Sequence, residues 1–274
     1  MASNDDTRAK AKTAQAKFGE LASPLIEEAT QHASALDRNT DPEVLHKMRV
    51  ALRRLRTLFW AYRPLLEEEF DTRQRAIFKY LATSAGSTRD WDILLSLLNE
   101  LDVDELDEPV KERRAAVLAS SIETISNADA KHVLTSGLKE ANHQLNTGRH
   151  RVPVERFARK RIGAARSQLK KRIKRARRAK RSDYAAYHEV RKAGKKVRYL
   201  IEFFEPDITP RMRSKVKSLK RLQKRFGALN DVVASRDLLS QGTLPVGSAA
   251  AKHAMRALDA EQKQRFKAAR KAIR

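Results

Sequence analysis

Eleven residues of this chain are written twice, and that duplication constrains the fold more than any other feature. His46-Lys47-Met48-Arg49-Val50-Ala51-Leu52-Arg53-Arg54-Leu55-Arg56 returns 142 residues later as His188-Glu189-Val190-Arg191-Lys192-Ala193-Gly194-Lys195-Lys196-Val197-Arg198. Both copies place His, Arg, Arg/Lys, Arg/Lys and Arg at steps 0, +3, +7, +8 and +10, and the match runs on through Leu58 with Leu200, Tyr62 with Phe204 and Pro64 with Pro206. Projected at about 100° per residue, His46, Arg49, Arg53 and Arg56 share an arc of about 80°. Val44, Met48, Ala51, Leu52, Leu55, Leu58, Phe59 and Tyr62 fill the neighbouring arc, and the second copy repeats the division. Each copy therefore reads as an amphipathic helix with a basic row at the margin of its buried stripe. A basic row bordering the core, rather than opposite it, suits a surface that holds an anion.

The rest of the chain is also helical in character. Nine Gly and eight Pro in 274 residues leave few breakers, and Ala, Leu, Lys, Arg and Glu are strong helix formers. The formal net charge of +24 costs self-repulsion in a compact state and attracts polyanions. Nucleic acid, anionic membrane and inorganic polyphosphate are the partner classes this admits. There is no cysteine, which excludes disulfides and thiolate metal sites. No window approaches the run of about 18 apolar residues of a membrane-spanning helix, and Met1 to Lys17 lacks the apolar core of a signal peptide. The expectation is a soluble, cytoplasmic protein.

In order, residues 1–12 read as a disordered start and 13–36 as a helix with a possible kink at Pro24. Thr40 or Asp41 caps the first motif helix, with Pro42 in its first turn. A third helix over about 67–85 is expected to end at Gly86, and Ser87 or Thr88 to cap a fourth running to Leu98. The acidic stretch around 100–108 reads as a linker dividing a first helical half, about 13–100, from a second, about 109–274. Two modest helices and a loop through Val152-Pro153 follow. Arg156 to Arg181 then holds 14 Lys/Arg and no acid, with an apolar stripe flanked by Arg159, Arg166, Lys170 and Arg177. Ser182 or Asp183 caps the second motif helix. Gly227 is expected to break the segment from Pro210, with a further helix opening at Leu229-Asn230-Asp231. The Gly242–Gly247 loop and a long C-terminal helix finish the chain. Gly86 with Arg89-Asp90 and Gly227 with Asn230-Asp231 occupy equivalent places. The repeat thus predicts two similar, antiparallel helical bundles related by an approximate two-fold axis.

The two His-x-x-Arg-x-x-x-Arg/Lys-Arg/Lys-x-Arg segments, with Gly-x-x-Arg-Asp at Gly86–Asp90 and Leu-Gln-x-x-Phe-Gly-x-Leu-Asn-Asp at Leu222–Asp231, resemble the CHAD family, the conserved histidine α-helical domain. The resemblance covers about residues 14–272. It implies an all-α fold of two four-helix bundles around a basic central groove or pore. It also implies binding of inorganic polyphosphate and, in some members, association with polyphosphate or storage granules. His46, Arg49, Arg53, Arg54, Arg56 and Arg89, with His188, Arg191, Lys195, Lys196 and Arg198, match the family's motif positions. Asn230 departs from the pattern where the first half has Arg89. Some members carry a catalytic triphosphate-tunnel domain with a Glu-x-Glu-x-Lys motif. That motif is absent here, so the chain resembles the stand-alone binding module.

The chemistry of the rows fits such a ligand. A polyphosphate chain offers charge and oxygen geometry but no base edges. Arg grips phosphate oxygens with a planar fork, and Lys supplies a mobile point charge. Steps of three and four residues place cations about 5–6 Å apart on one helix face. To the motif residues the sequence adds Arg159, Arg166 and Lys170 from the basic segment, and Lys79 and Lys220 at equivalent places on third helices. His46 and His188 lie in first helical turns, where they act either as caps and core-edge hydrogen-bonders or as phosphate contacts. Arg89 either joins the site or pairs with Asp90 or Asp92. Trp60, Phe59 and Tyr62 fall on the apolar arc and read as core. With no P-loop and no carboxylate metal cluster, the expectation is a binding protein rather than an enzyme, with no cofactor. The alternative is a general nucleic-acid-binding basic protein. Against it, aromatic residues make up only 6% of the chain, which leaves no evident platform for stacked bases.

Overall fold

The computed structural model describes residues 13–36, 41–148, 151–180, 183–241 and 248–274. The expected disordered start at 1–12, the Gly242–Gly247 loop and the capping candidates Thr40 and Ser182 lie outside them. The fold is all-α: α1 (Ala14–Ala35), α2 (Pro42–Tyr62), α3 (Glu68–Glu100), α4 (Asp107–Asn127), α5 (Ala130–Thr147), α6 (Val154–Arg178), α7 (Tyr184–Phe203), the single turn α8 (Pro210–Arg213), α9 (Lys215–Ser240) and α10 (Ser248–Lys271). Among the described residues the only β pairing is an isolated bridge between Thr13 and Pro153.

The motif helices start as their sequences dictate. Asp41 accepts the amide of Glu43 at 2.9 Å ahead of Pro42 in α2, and Asp183 accepts the amide of Ala186 at 3.2 Å ahead of α7. Such side-chain acceptors satisfy amides that the first turn leaves unpaired. Both motif helices run into a short 3-10 turn, Arg63–Leu65 after α2 and Glu205–Asp207 after α7. Pro24 does not end α1, which continues through it to Ala35.

Two expected breaks are absent. Gly86 lies inside the 33-residue α3, and Gly227 lies inside α9. A mid-helix glycine costs roughly 1 kcal/mol relative to alanine, which burial along a long helix readily exceeds. Gly86 has a packing reason as well, given below with the site. The expected division near residue 109 also differs from the packing. α4 lies along α3 and α5 against α1, whereas α6, α7, α9 and α10 pack in chain order. The first group is thus larger than four helices. The acidic stretch is the turn that folds α4 back onto α3.

The main core runs through both groups of helices. An aromatic chain crosses it: Phe18 meets Tyr62 with ring centroids 4.9 Å apart, Tyr62 meets Phe157 at 4.7 Å, and Phe157 meets Phe204 at 5.9 Å. Tyr62 and Phe204, the same position of the two copies, are themselves 6.5 Å apart. The ends of α2 and α7 are thereby pinned together, and the two basic rows face a common space. A second cluster, with Trp91, Leu94, Leu98, Leu106, Val232 and Leu258, ties the distal halves of α3 and α9 to α4 and α10.

Candidate functional site

Beside the contact of α2 with α7 is an open cleft of about 450 Å³. α2 contributes Arg49, Arg53, Arg56, Thr57 and Trp60; α7 contributes His188, Glu189, Arg191, Lys192, Lys195, Lys196 and Tyr199; Arg75 reaches in from α3, and Gln168 and Arg172 from α6. Among the described residues nine Lys and Arg side chains line it, with Glu189 the one carboxylate. Glu189 is engaged by Lys192 and by Arg172 at 3.6 Å. Arg75 is held at 3.0 Å by Asp71, and Arg49 lies 3.5 Å from Asp90. Arg53, Arg56, Arg191, Lys195 and Lys196 have no carboxylate within ion-pair distance among the described residues.

The electrostatics follow from that crowding. Burial, then Arg191, Arg53 and Arg49, push the Lys195 ammonium down to about 6. Burial, with Arg75 and Arg161 nearby, pushes Lys196 down to about 8. The guanidinium groups of Arg53 and Arg191 are lowered chiefly by burial, yet an arginine stays charged. Asp231, behind Arg191 and Lys195, is raised by burial in spite of both. The lining thus crowds basic side chains whose charged forms disfavour one another.

A match to the family model of the CHAD domain covers residues 20–240. The chain belongs to the CHAD domain family. Its fold is similar to the crystal structure of the CHAD domain from the plant Ricinus communis, with a TM-score of 0.81 at 24% identity over 97% of this chain and 95% of that one. It is also similar to PptA from Streptomyces chartreusis, with a TM-score of 0.71 at 14% identity over 96% of this chain and 98% of that one. No curated protein matches the sequence.

Of the residues singled out by sequence, this CHAD domain brings seven into the cleft: Arg49, Arg53, Arg56, His188, Arg191, Lys195 and Lys196. The others are placed elsewhere. Arg54 turns away to lie over the Phe203 ring at 5.4 Å. Arg198 donates to Glu202 at 2.9 Å and covers Tyr199 at 4.7 Å. Lys79, Arg159, Arg166, Lys170 and Lys220 are exposed and outside the lining. Arg89 is exposed with Asp92 at 4.0 Å, so its structural pairing is the one observed.

The two histidines differ. His188 Nδ1 is 3.0 Å from Asn230 Oδ1, an atom that only accepts, so Nδ1 carries the proton and donates. The Tyr184 hydroxyl donates to the same oxygen at 2.8 Å. His188 stays below its ordinary value through burial and Lys192. Asn230, the departure from the motif, is what orients it. His46 lies outside the lining, its Nδ1 buried without a hydrogen-bond partner among the described residues, and burial followed by Arg89 lowers it.

Sequence reasoning missed Arg75, Gln168, Arg172, Lys192, Trp60 and Tyr199. Trp60 was expected in the core, but it is half-buried, with the Arg161 guanidinium and the Lys196 ammonium each 4.2 Å from its ring centroid. Arg161 also donates to the Trp60 carbonyl at 2.6 Å. Lys192 was within reach of the motif spacing. Arg75 and the α6 residues carry no signal short of the tertiary arrangement.

Proposed function

We propose that this protein is a non-enzymatic binder of inorganic polyphosphate, and that the cleft between α2 and α7 is its binding site. The observation that carries this reading is the lining itself, nine Lys and Arg side chains around one carboxylate, five of them with no carboxylate within ion-pair distance among the described residues. Arginine forks and lysine ammonium groups from facing helices suit a flexible chain of phosphates. The polyphosphate binding implied by the family resemblance points the same way. Bases would find no stacking surface here: Trp60 is covered by Arg161 and Lys196, and Tyr199 is buried beneath Arg198. On this reading the protein collects on polyphosphate granules wherever these are present.

The test is equilibrium binding of long-chain polyphosphate in competition with tRNA and duplex DNA, at about 150 mM salt, where the Debye length is about 8 Å. The Arg49→Ala/Arg53→Ala/Arg191→Ala/Lys195→Ala protein runs in parallel. Selective binding that the variant loses supports the reading. Equal binding of all three polyanions, indifferent to the substitutions, replaces it with a general basic binder. Polyphosphate consumption with and without Mg²⁺ is measured alongside, and turnover would make the protein an enzyme.

A further inference from the structure

The most basic element of the chain is only partly used by the cleft. α6 carries 12 Lys and Arg against a single acid, Glu155. Three of these cations are held by the fold: Arg161 by Trp60, Arg172 by Glu189, and Arg177 by the carbonyl oxygens of Ile273 and Arg274. The other nine, Lys160, Lys171, Lys174, Arg175 and Arg178 among them, are exposed and lack a carboxylate within ion-pair distance among the described residues. The first half of α9 shares this excess, with Lys215, Lys217, Lys220, Arg221, Lys224 and Arg225 exposed and without a carboxylate within ion-pair distance among the described residues, but two other surface helices behave differently. α4 and α10 pair cations with acids, as in Lys111 with Glu108 at 2.7 Å, Arg114 with Asp92 at 2.6 Å, and Arg265 with Glu261. A solubilising surface intersperses both signs; the solvent face of α6 does not.

That face is continuous with the cleft. Gln168 and Arg172 form the cleft wall on α6. Stepping round the helix at about 100° per residue leads from them to Arg175 and Lys171, then to Lys160, Lys174 and Arg178 on the solvent side. From Lys160 to Arg178 the row extends about 27 Å at 1.5 Å per residue. We propose that a polyphosphate chain too long for the cleft leaves it past Arg172 and continues along the solvent face of α6. Lys160, Lys171, Lys174, Arg175 and Arg178 hold the emerging chain. This rests on the cleft being a polyphosphate site, and it adds a second contact region that sets chain-length preference. A short oligophosphate occupies the cleft alone, whereas a long chain occupies both.

The experiment compares tripolyphosphate with long-chain polyphosphate on three full-length proteins: wild type, Arg53→Ala/Arg191→Ala in the cleft, and Lys160→Ala/Lys171→Ala/Lys174→Ala/Arg178→Ala on α6. Alanine keeps helix propensity, and circular dichroism checks that α6 survives. The α6 variant should hold tripolyphosphate as wild type does and lose about tenfold or more in long-chain affinity. Its plot of log affinity against log salt should flatten by roughly three, at about 0.7 per cation for a single-stranded polyanion. The cleft variant should lose both ligands. Unchanged long-chain affinity in the α6 variant overturns the second region, as does an equal loss of both ligands. Loss of duplex DNA binding alone would make the face a nucleic-acid surface and overturn it too. Failure of the wild type to bind either phosphate removes the cleft reading itself, a result distinct from a defect confined to α6.

Discussion

Arg49 Nη1 donates to the carbonyl oxygen of Gly86 at 2.8 Å, and a Cβ on Gly86 would lie 2.6 Å from that same nitrogen. The glycine is therefore a seat for the arginine, which it aims into the cleft. Gly227, its counterpart in the repeat, has open space where a Cβ would stand. The two substitutions should part company. Gly227→Ala should stabilise the fold by up to about 1 kcal/mol through helix propensity and leave polyphosphate binding alone. Gly86→Ala should gain the same propensity, lose a hydrogen bond of about 1 kcal/mol and end close to wild type in stability, but bind polyphosphate several-fold more weakly. Thermal unfolding and binding of the two variants check this, and equal binding would mean that the seat is irrelevant.

Lys195 should make polyphosphate binding pH-dependent. With its ammonium held down at about 6, it is largely neutral at pH 7 in the empty cleft. An anion favours the charged form, so binding takes up a proton. Affinity should then fall as pH rises from 6 towards 8, by at most about tenfold per pH unit for one proton. Lys196, held at about 8, extends the decline upward, and His188 adds uptake on the acid side. Lys195→Gln should bind like wild type near pH 8 and more weakly near pH 6. Parallel pH profiles for the two proteins would contradict this.

Trp60 should report occupancy. Lys196 lies over its ring at 4.2 Å, and a phosphate that draws the ammonium away changes the environment of the indole. Trp91, the other tryptophan, is buried in the second cluster, away from the cleft. In a Trp91→Phe background, titration with polyphosphate should shift Trp60 fluorescence, and Lys196→Ala should abolish most of the change. A response undiminished by Lys196→Ala would place the source elsewhere.

Anions should stabilise the fold itself. The cleft cations repel one another, and a ligand that binds only the folded state adds stability by mass action, about 2.7 kcal/mol at a hundred times its Kd. Tripolyphosphate should raise Tm well beyond sodium chloride at equal ionic strength. Arg53→Ala/Arg191→Ala should lose most of that increment. An equal rise in both salts would reduce the effect to screening.

The sequence by itself determined the helices and their buried stripes, the duplicated motif and the sign of its charge. Side chains recur on a helix every three to four residues, so a local pattern suffices to mark a face. His46 shows where the pattern stops. It holds the same motif step as His188, yet only His188 has a partner like Asn230 and lines the cleft. α6 shows it more sharply. Its apolar stripe has two basic flanks that periodicity cannot rank, and sequence reasoning chose Arg159, Arg166 and Lys170, whereas the fold turns Gln168 and Arg172 inward. The length of α3 and the arrival of Arg75 in the cleft are of the same kind. Helix breaks depend on what a glycine packs against, and a shared cleft depends on how α2, α3, α6 and α7 meet. Those are contacts between residues distant in sequence, set by burial of the common core, and only the tertiary structure decided them.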